Sequence, residues 1–516
     1  MACMTARITF YGGAGTVTGA NFLFEAAGKK ILVDCGARDR ENICDKANHQ
    51  PFKYDAKSID VLVITHAHQD HIGLVPKLVR EGFTGIIYST PATHELSEIM
   101  LADALKIMNM DAQRSGCPVL FEGPDVERAL SLWQSHDYHE PFSIGDVQVE
   151  FLNAGHILGS AMVKMTRAGS GQNFSLSGTF AQTVQGKVLS ATSHHSESGG
   201  SEVGSVSQAV EPRGSAGPAG PDSDSQAHFS RRAVIFTGDL GNNPEPLLRD
   251  TDSAEGANYL VMESVYGDKV HEGRDDRRDQ LKKAIDDARK RGGTLLVPCF
   301  SLERTQIILF ELHQMIESGE LQPIPVYLDS PLAERVMGVF RKYTNLFNDE
   351  AQKVFAHSDG FSFPKFVDVH NTAESHSLHK KADPKVIIAG AGMSNGGRIR
   401  DHEKVYLPDP KAAVLFTGYQ AAGSLGRRIQ DGANEVVIDR EHIKVRATVS
   451  ALSGYSGHKD RDGLVDFAAS AGETLEKVFV VMGEPKASNF LAQRIGDFLG
   501  VKTEVPQIGD NVEIEW

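Results

Sequence analysis

Cysteine, positive charge and long apolar runs are what this sequence has little of. Its five cysteines (Cys3, Cys35, Cys44, Cys117 and Cys299) are odd in number and scattered, and none pairs with another at metal-binding spacing. That excludes a cysteine-held zinc module and fits a reducing cytoplasm. Lys and Arg number 53 against 68 Asp and Glu, a formal net charge of -15. Phosphate would be repelled over most of such a surface, which excludes a non-specific nucleic-acid coat protein but leaves room for a local basic cleft. No apolar stretch reaches bilayer-spanning length, and Met1 to Gly13 carries no sustained apolar run, so a cytoplasmic, unanchored protein is expected. There is no internal repeat.

What is present is an ordinary folding composition, 41% hydrophobic and 23% charged over 516 residues. That length exceeds one compact core, so two domains, or one domain with a large insertion, are expected. Short β-rich runs open the chain, at Arg7 to Tyr11, Asn21 to Phe24, Lys30 to Val33 and Asp60 to Thr65. A helix is expected from Thr90-Pro91, a capping hydroxyl followed by a proline suited to the first turn, with Met100, Met108 and Met110 as core filler. Residues 169–232 are Ser- and Gly-rich without Tyr or Trp, and read as a disordered insertion in a loop joining two strands. Its His194, His195 and His228 read as solvated. From Ala254 the pattern becomes alternating helix and strand, with a helix near Asp276 to Arg291, a stop at Gly292-Gly293 and a strand at Thr294 to Pro298. The helix's Arg277, Arg278, Lys282, Lys283 and Arg289 are interleaved with aspartates, which suggests a solvated face rather than an RNA contact.

The chemistry concentrates in His66-Ala-His68-Gln-Asp70-His71. The buried-strand pattern Val61 to Thr65 ends at His66, and helical spacing follows from Ile72, so four ligand-type side chains share one tight turn. Imidazoles two residues apart can close on one metal, and Asp70 and His71 can face a second beside it. Further donors must come from elsewhere. Three strand ends offer one polar residue beside a glycine: Asp34 before Cys35-Gly36, His156 after Gly155, and Asp239 after Gly238.

With these residues the chain resembles the metallo-β-lactamase superfamily, which implies a four-layered αββα sandwich with two divalent metals, zinc or manganese, at one edge of its sheets. The resemblance assigns His66, His68 and His156 to the first metal, Asp70 and His71 to the second, and Asp239 to both, with Asp34 orienting a ligand histidine. A hydroxide held between two cations about 3.5–4 Å apart is nucleophilic at neutral pH. Three further stretches resemble the β-CASP nucleases, in which a second α/β domain is inserted into the first. They are Glu263-Ser-Val-Tyr-Gly-Asp268, Gly392-Met-Ser-Asn-Gly-Gly-Arg398 and Gly454-Tyr-Ser-Gly-His458.

The domains expected on that basis are 1–253, 254–445 for the inserted β-CASP domain, and 446–516 for the returning part of the first. The resemblance implies that Glu263 supports His458, which contacts the scissile phosphate, and that Asp70 accepts a proton from the attacking water. It offers Ser394, Asn395, Gly396, Gly397, Arg398 and, separately, Arg304 as RNA phosphate contacts. The Gly392 to Arg398 stretch is closer to bacterial and archaeal relatives of the cleavage and polyadenylation nuclease subunit than to ribonuclease J. The expected activity is therefore endonucleolytic cleavage of single-stranded RNA by attack of metal-bound hydroxide. One departure stands out. Where the family places a histidine before Gly-Glu, this chain has Met482-Gly483-Glu484. A thioether is a soft, neutral donor ill suited to zinc or manganese, so the second metal is left one ligand short. The rival readings are a non-catalytic RNA-binding homologue, favoured by Met482, and a small-molecule metallo-hydrolase, disfavoured by the inserted domain.

Overall fold

A computed structural model of the chain describes residues 5–38, 46–167, 232–271, 273, 276–421 and 423–516. Among these residues two seven-stranded sheets, a six-stranded sheet and a two-stranded ribbon form. The first sheet runs Asn511–Glu515, Thr5–Gly12, Asn21–Ala26, Lys29–Val33, Val61–Val63, Ile86–Ser89 and Trp133–Ser135. The second runs Lys502–Glu504, Lys477–Val481, Tyr259–Glu263, Ala233–Phe236, Ala161–Arg167, Val147–Asn153 and Phe142–Ile144.

The two sheets face each other across a core that includes Phe10, Phe24, Phe151 and Phe236, each almost fully buried. Each such side chain contributes about 1.5–3 kcal/mol relative to exposure. Helices Arg461–Ala469 and Pro485–Leu499 cover the outer face of the second sheet through Leu464, Phe467, Leu491 and Ile495. Helix Pro91–Ser115 lies outside the first, its start fixed by Thr90, whose hydroxyl accepts the Thr93 amide, and its end by Gly116 at φ 71°. The expected αββα sandwich is the observed one. Met108 is core, but Met110 is 40% exposed and not filler: it lies on the solvent side of that helix.

The third sheet is the inserted α/β unit, ordered Phe366–Asp368, Val326–Asp329, Lys385–Ala389, Thr294–Pro298, Ala413–Phe416 and Thr448–Ala451, all parallel. Its central strands are buried throughout, as parallel strands covered on both faces must be. Strand pairing sets the unit's limits differently from the expected divisions after 253 and 445. Tyr259–Glu263 pairs with Ala233–Phe236 in the second sheet, and Thr448–Ala451 still belongs to the inserted one. The composition changes at Ala254, whereas the chain changes sheets only after Glu263 and Ala451.

The Ser/Gly-rich insertion, with His194, His195 and His228, lies outside the described residues apart from Arg232. The strands on either side of it, Ala161–Arg167 and Ala233–Phe236, are antiparallel neighbours. Among the described residues no helix is long and apolar enough to cross a membrane.

Candidate metal centre

The strand Val61–Val63 delivers Thr65 and His66 to one edge of the first sheet, and the chain turns at once into the short helix Gln69–Ile72. This turn packs against the loop after Lys29–Val33. A Cβ on Gly36 would stand 1.6 Å from the Asp70 carbonyl oxygen, so only glycine lets the two loops meet. From the second sheet, His156 follows Val147–Asn153, Asp239 follows Ala233–Phe236, and Glu263 ends its own strand. His458 arrives after the inserted unit and forms a β-bridge with Gly241.

Four donor atoms converge: His66 Nε2, His68 Nδ1, His156 Nε2 and Asp239 Oδ2. Their separations are 3.1 Å for His66–His68, 3.2 Å for His156–His68, 3.5 Å for His66–Asp239 and 3.6 Å for His156–Asp239. A tetrahedral zinc with arms of about 2.0–2.1 Å has edges of about 3.3–3.4 Å, so the four atoms are spaced as one divalent ion requires. The outer nitrogens are held as well. His156 Nδ1 donates to the Gly457 carbonyl at 2.9 Å, which fixes the tautomer and leaves Nε2 as the donor to a metal. Burial, aided by His458, pushes the His156 imidazolium well down, and burial with His71 lowers that of His66, so both rings are neutral donors.

His71 lies beside this group. Its Nδ1 meets Asp34 Oδ2 at 2.7 Å, and Asp34 also accepts the Thr65 amide and hydroxyl, each at 2.8 Å. Its Nε2 faces Asp239 Oδ1 at 3.4 Å, and among the described residues both atoms are buried without a hydrogen-bond partner. Such orphaned atoms suit a second cation. Burial disfavours a charge on His71, but Asp239 and Asp34 outweigh it and raise its pKa well above the usual value. Burial alone would raise Asp239, yet His71 and His66 hold it well below the carboxylate range.

Among the described residues a second group of candidate donors within 4.8 Å of one another joins Asp239 to Glu263 and His458; Asp70 and His71 fall outside both groups. Glu263 is fully buried, and burial raises its pKa against the pull of His458, whose Nδ1 is 3.2 Å from its Oε1. The same oxygen accepts the Leu240 amide at 2.6 Å, tying the pair to the loop of Asp239. Met482 stands at the end of Lys477–Val481, next to the Glu263 strand, and is buried.

The structure separates the expected phosphate contacts. Ser394 is fully buried and donates to Glu403 at 2.5 Å, and Arg398 is ion-paired with Asp329 at 2.5 Å and bonded to the Val369 carbonyl. Asn395 accepts the Leu425 amide at 2.9 Å, and a Cβ on Gly397 would meet the Gly390 carbonyl oxygen at 2.2 Å. Ser394 has no exposed surface to offer a phosphate and the Arg398 charge is met by Asp329 at the end of the strand Val326–Asp329, and this corrects the expectation for both. Arg304 is different. It is 9% exposed, makes no ion pair among the described residues, and its Nη1 has no partner there. Its Nη2 lies 3.4 Å from the position a Cβ on Gly457 would take, a position equally close to His156.

The charged helix is Arg277–Arg291, and four of the five basic residues expected on its solvated face are matched by acidic side chains. Arg277 pairs with Glu311 and lies over Tyr455, Arg278 with Glu320, and Lys282 and Arg289 with Asp286. Arg277 is therefore mostly buried rather than solvated. Sequence reasoning missed Thr65, which touches Asp34, His66 and His71 at once, although its place directly before His66 was a signal. It also missed Glu303, whose Oε2 accepts the Leu158 amide at 3.0 Å and whose carboxyl is pushed by burial up to about 8.

Comparison with known proteins follows the same outline. Residues 14–141 match the family model of the metallo-β-lactamase superfamily, 305–429 that of the β-CASP domain, and 442–506 that of the Zn-dependent metallo-hydrolase RNA specificity domain. A ribonuclease of Thermus thermophilus is 32% identical over 510 residues, covering 98% of this chain and all of that protein. Transcription termination factor FttA of Methanosarcina mazei is 27% identical, covering 96% of this chain and 70% of its own. FttA of Methanothermobacter thermautotrophicus is 28% identical, with 99% and 72% covered. Among solved structures, a protein of unknown function from Enterococcus faecalis V583 shares the fold, with a TM-score of 0.52, 11% identity, and 99% and 100% of the chains covered.

Proposed function

The chain belongs to the metallo-β-lactamase superfamily, in its β-CASP nuclease group, and from that we propose a metal-dependent ribonuclease that cuts single-stranded RNA endonucleolytically. One observation carries the reading: a group of four candidate metal donors shares Asp239 with the buried Glu263 and the partly exposed His458. Members of this superfamily bind divalent metal. Here His66, His68, His156 and Asp239 would hold the first ion, and Asp70, His71 and Asp239 would hold a second more weakly, zinc suiting the imidazole-rich set. When bound, the metals supply a water made nucleophilic at neutral pH and a positive field over the scissile phosphate.

The side chains supply the rest. Asp34 and the Gly457 carbonyl fix the rings of His71 and His156. Asp70 would accept the proton of the attacking water. Glu263 holds His458 by Nδ1, so that Nε2 meets the phosphate, stabilising its charge or protonating the leaving oxygen. Arg304 offers a guanidinium to a phosphate oxygen from the inserted unit.

A non-catalytic RNA-binding role is the second reading, and Met482 favours it. Against it stand the four converging donors His66, His68, His156 and Asp239 and the hydrogen-bonded pair Glu263 and His458. Purified protein with zinc or manganese should cut a labelled single-stranded RNA, circular as well as linear. His68→Ala and His458→Ala should each abolish cleavage, and equal activity in wild type and His68→Ala would sink the enzyme reading.

A further inference from the structure

In an open parallel sheet, ligands bind outside the carboxyl ends of the strands. The inserted sheet turns those ends toward the metal centre: Arg304, six residues beyond Pro298, reaches Gly457 and His156. The loop after the neighbouring strand Ala413–Phe416 carries Tyr419.

Arg304 is placed with unusual constraint. Glu303 adopts φ 70° and ψ -55°, and the Arg304 amide donates to the Leu302 carbonyl at 3.0 Å, closing a tight turn that non-glycine residues seldom adopt. The Glu303 carboxyl accepts the Leu158 amide, so this turn is pinned to the loop that carries His156. An arginine only 9% exposed, with no ion pair among the described residues, is costly to keep, and the Tyr455 ring, 5.9 Å from the guanidinium centre, compensates only in part. An anion is the missing partner.

Tyr419 contrasts with it. It is 44% exposed, the ring left uncovered at this end of the sheet while the loop beneath it is tied down. A Cβ on Gly418 would rest 3.4 Å from the Phe300 ring, and Gln420 donates to the carbonyls of Gly392 at 3.0 Å and Gly418 at 3.2 Å. An exposed ring on a loop that packs against Phe300, whose carbonyl accepts the hydroxyl of Thr305 next to Arg304 in the chain, has the form of a stacking platform.

We propose that Arg304 and Tyr419 form a one-nucleotide subsite beside the metal centre, Arg304 taking a phosphate and Tyr419 the face of a base. The inference rests on the ribonuclease reading and deepens it. Stacking reads no base edge, so the subsite is indifferent to sequence but demands an unpaired base, which makes it a selector for single-stranded RNA.

The test is an abasic scan. A short single-stranded RNA with a mapped cut site is prepared in versions that each lack one base, and affinity is read by fluorescence anisotropy alongside KM and kcat. On the intact RNA, Tyr419→Ala is expected to weaken binding about tenfold and raise KM more than it lowers kcat, while Tyr419→Phe, which keeps the ring, restores most of the affinity. On the RNA lacking one particular base next to the cut, wild type and Tyr419→Ala should bind alike. An equal penalty on every abasic RNA, or none on the intact one, would overturn the subsite. RNA bound but uncut by wild type would defeat the ribonuclease reading, with the stacking step still scored by affinity.

Discussion

The sulfur of Met482 sits directly over Gly13, 2.5 Å from where a Cβ on that residue would stand, and the Met482 amide donates to the Gly13 carbonyl at 2.6 Å. The thioether is thus packed into the core between the two large sheets at the end of the strand beside Glu263. Methionine here fills space and offers zinc or manganese little. Met482→His is expected to raise affinity at the second metal position. Calorimetry should then show two comparable sites per chain in place of one strong and one weak. Unchanged stoichiometry and affinity would mean that this position never faced the metal.

Asp34 makes a different contribution, because it grips His71 without belonging to the four-donor group. Asp34→Asn keeps the shape but replaces one acceptor oxygen with a donor NH2, which can no longer serve both Thr65 and His71. Metal affinity is expected to fall about 10–100-fold, the usual cost of losing an orienting partner. Circular dichroism should show the fold retained. Wild-type affinity in the variant would remove the orienting role.

What the sequence made legible was local. Four ligand-type residues within six positions announce themselves, and His156 and Asp239 stand out because glycines beside them mark strand ends where loops must approach closely. Arg398 misled for the opposite reason: a glycine-rich turn ending in arginine looks like a phosphate cradle, but its partner Asp329 lies 69 residues away in sequence. Arg277 was misread likewise, since Glu311 comes from another helix. Periodicity placed the strands well, yet could not say which sheet Tyr259–Glu263 or Thr448–Ala451 would join, because pairing is a long-range choice.

The buried carboxyl of Glu403 gives the inserted unit a pH dependence of its own. Burial pushes the Glu403 carboxyl from its ordinary 4.5 up to about 8, against the lowering effects of the Ser394 hydroxyl and Arg400. The folded chain therefore holds a proton that the unfolded chain releases above about pH 4.5. The stability tied to this proton is complete below that pH and declines as pH rises toward 8. Glu403→Gln removes the dependence, so its Tm relative to wild type should climb between pH 5 and pH 8. Parallel Tm curves for the two proteins would show that Glu403 is ionised in the folded state.

Arg304 carries the last prediction, and salt reads it more directly than activity does. Each phosphate neutralised by a cation releases counterions, so the slope of log affinity against log salt is about -0.7 per contact for a single strand. Arg304→Met should weaken RNA binding at low salt and make that slope shallower by about 0.7. Arg304→Lys should keep the slope but lose affinity, because an ammonium retains the charge without the planar fork that binds two oxygens at once. The lysine variant also guards against misfolding, since the site is buried beside Tyr455 and Gly457. If the methionine variant folds and binds with the wild-type slope, the guanidinium touches no phosphate. Its burial without an ion pair among the described residues would then need another anion to explain it.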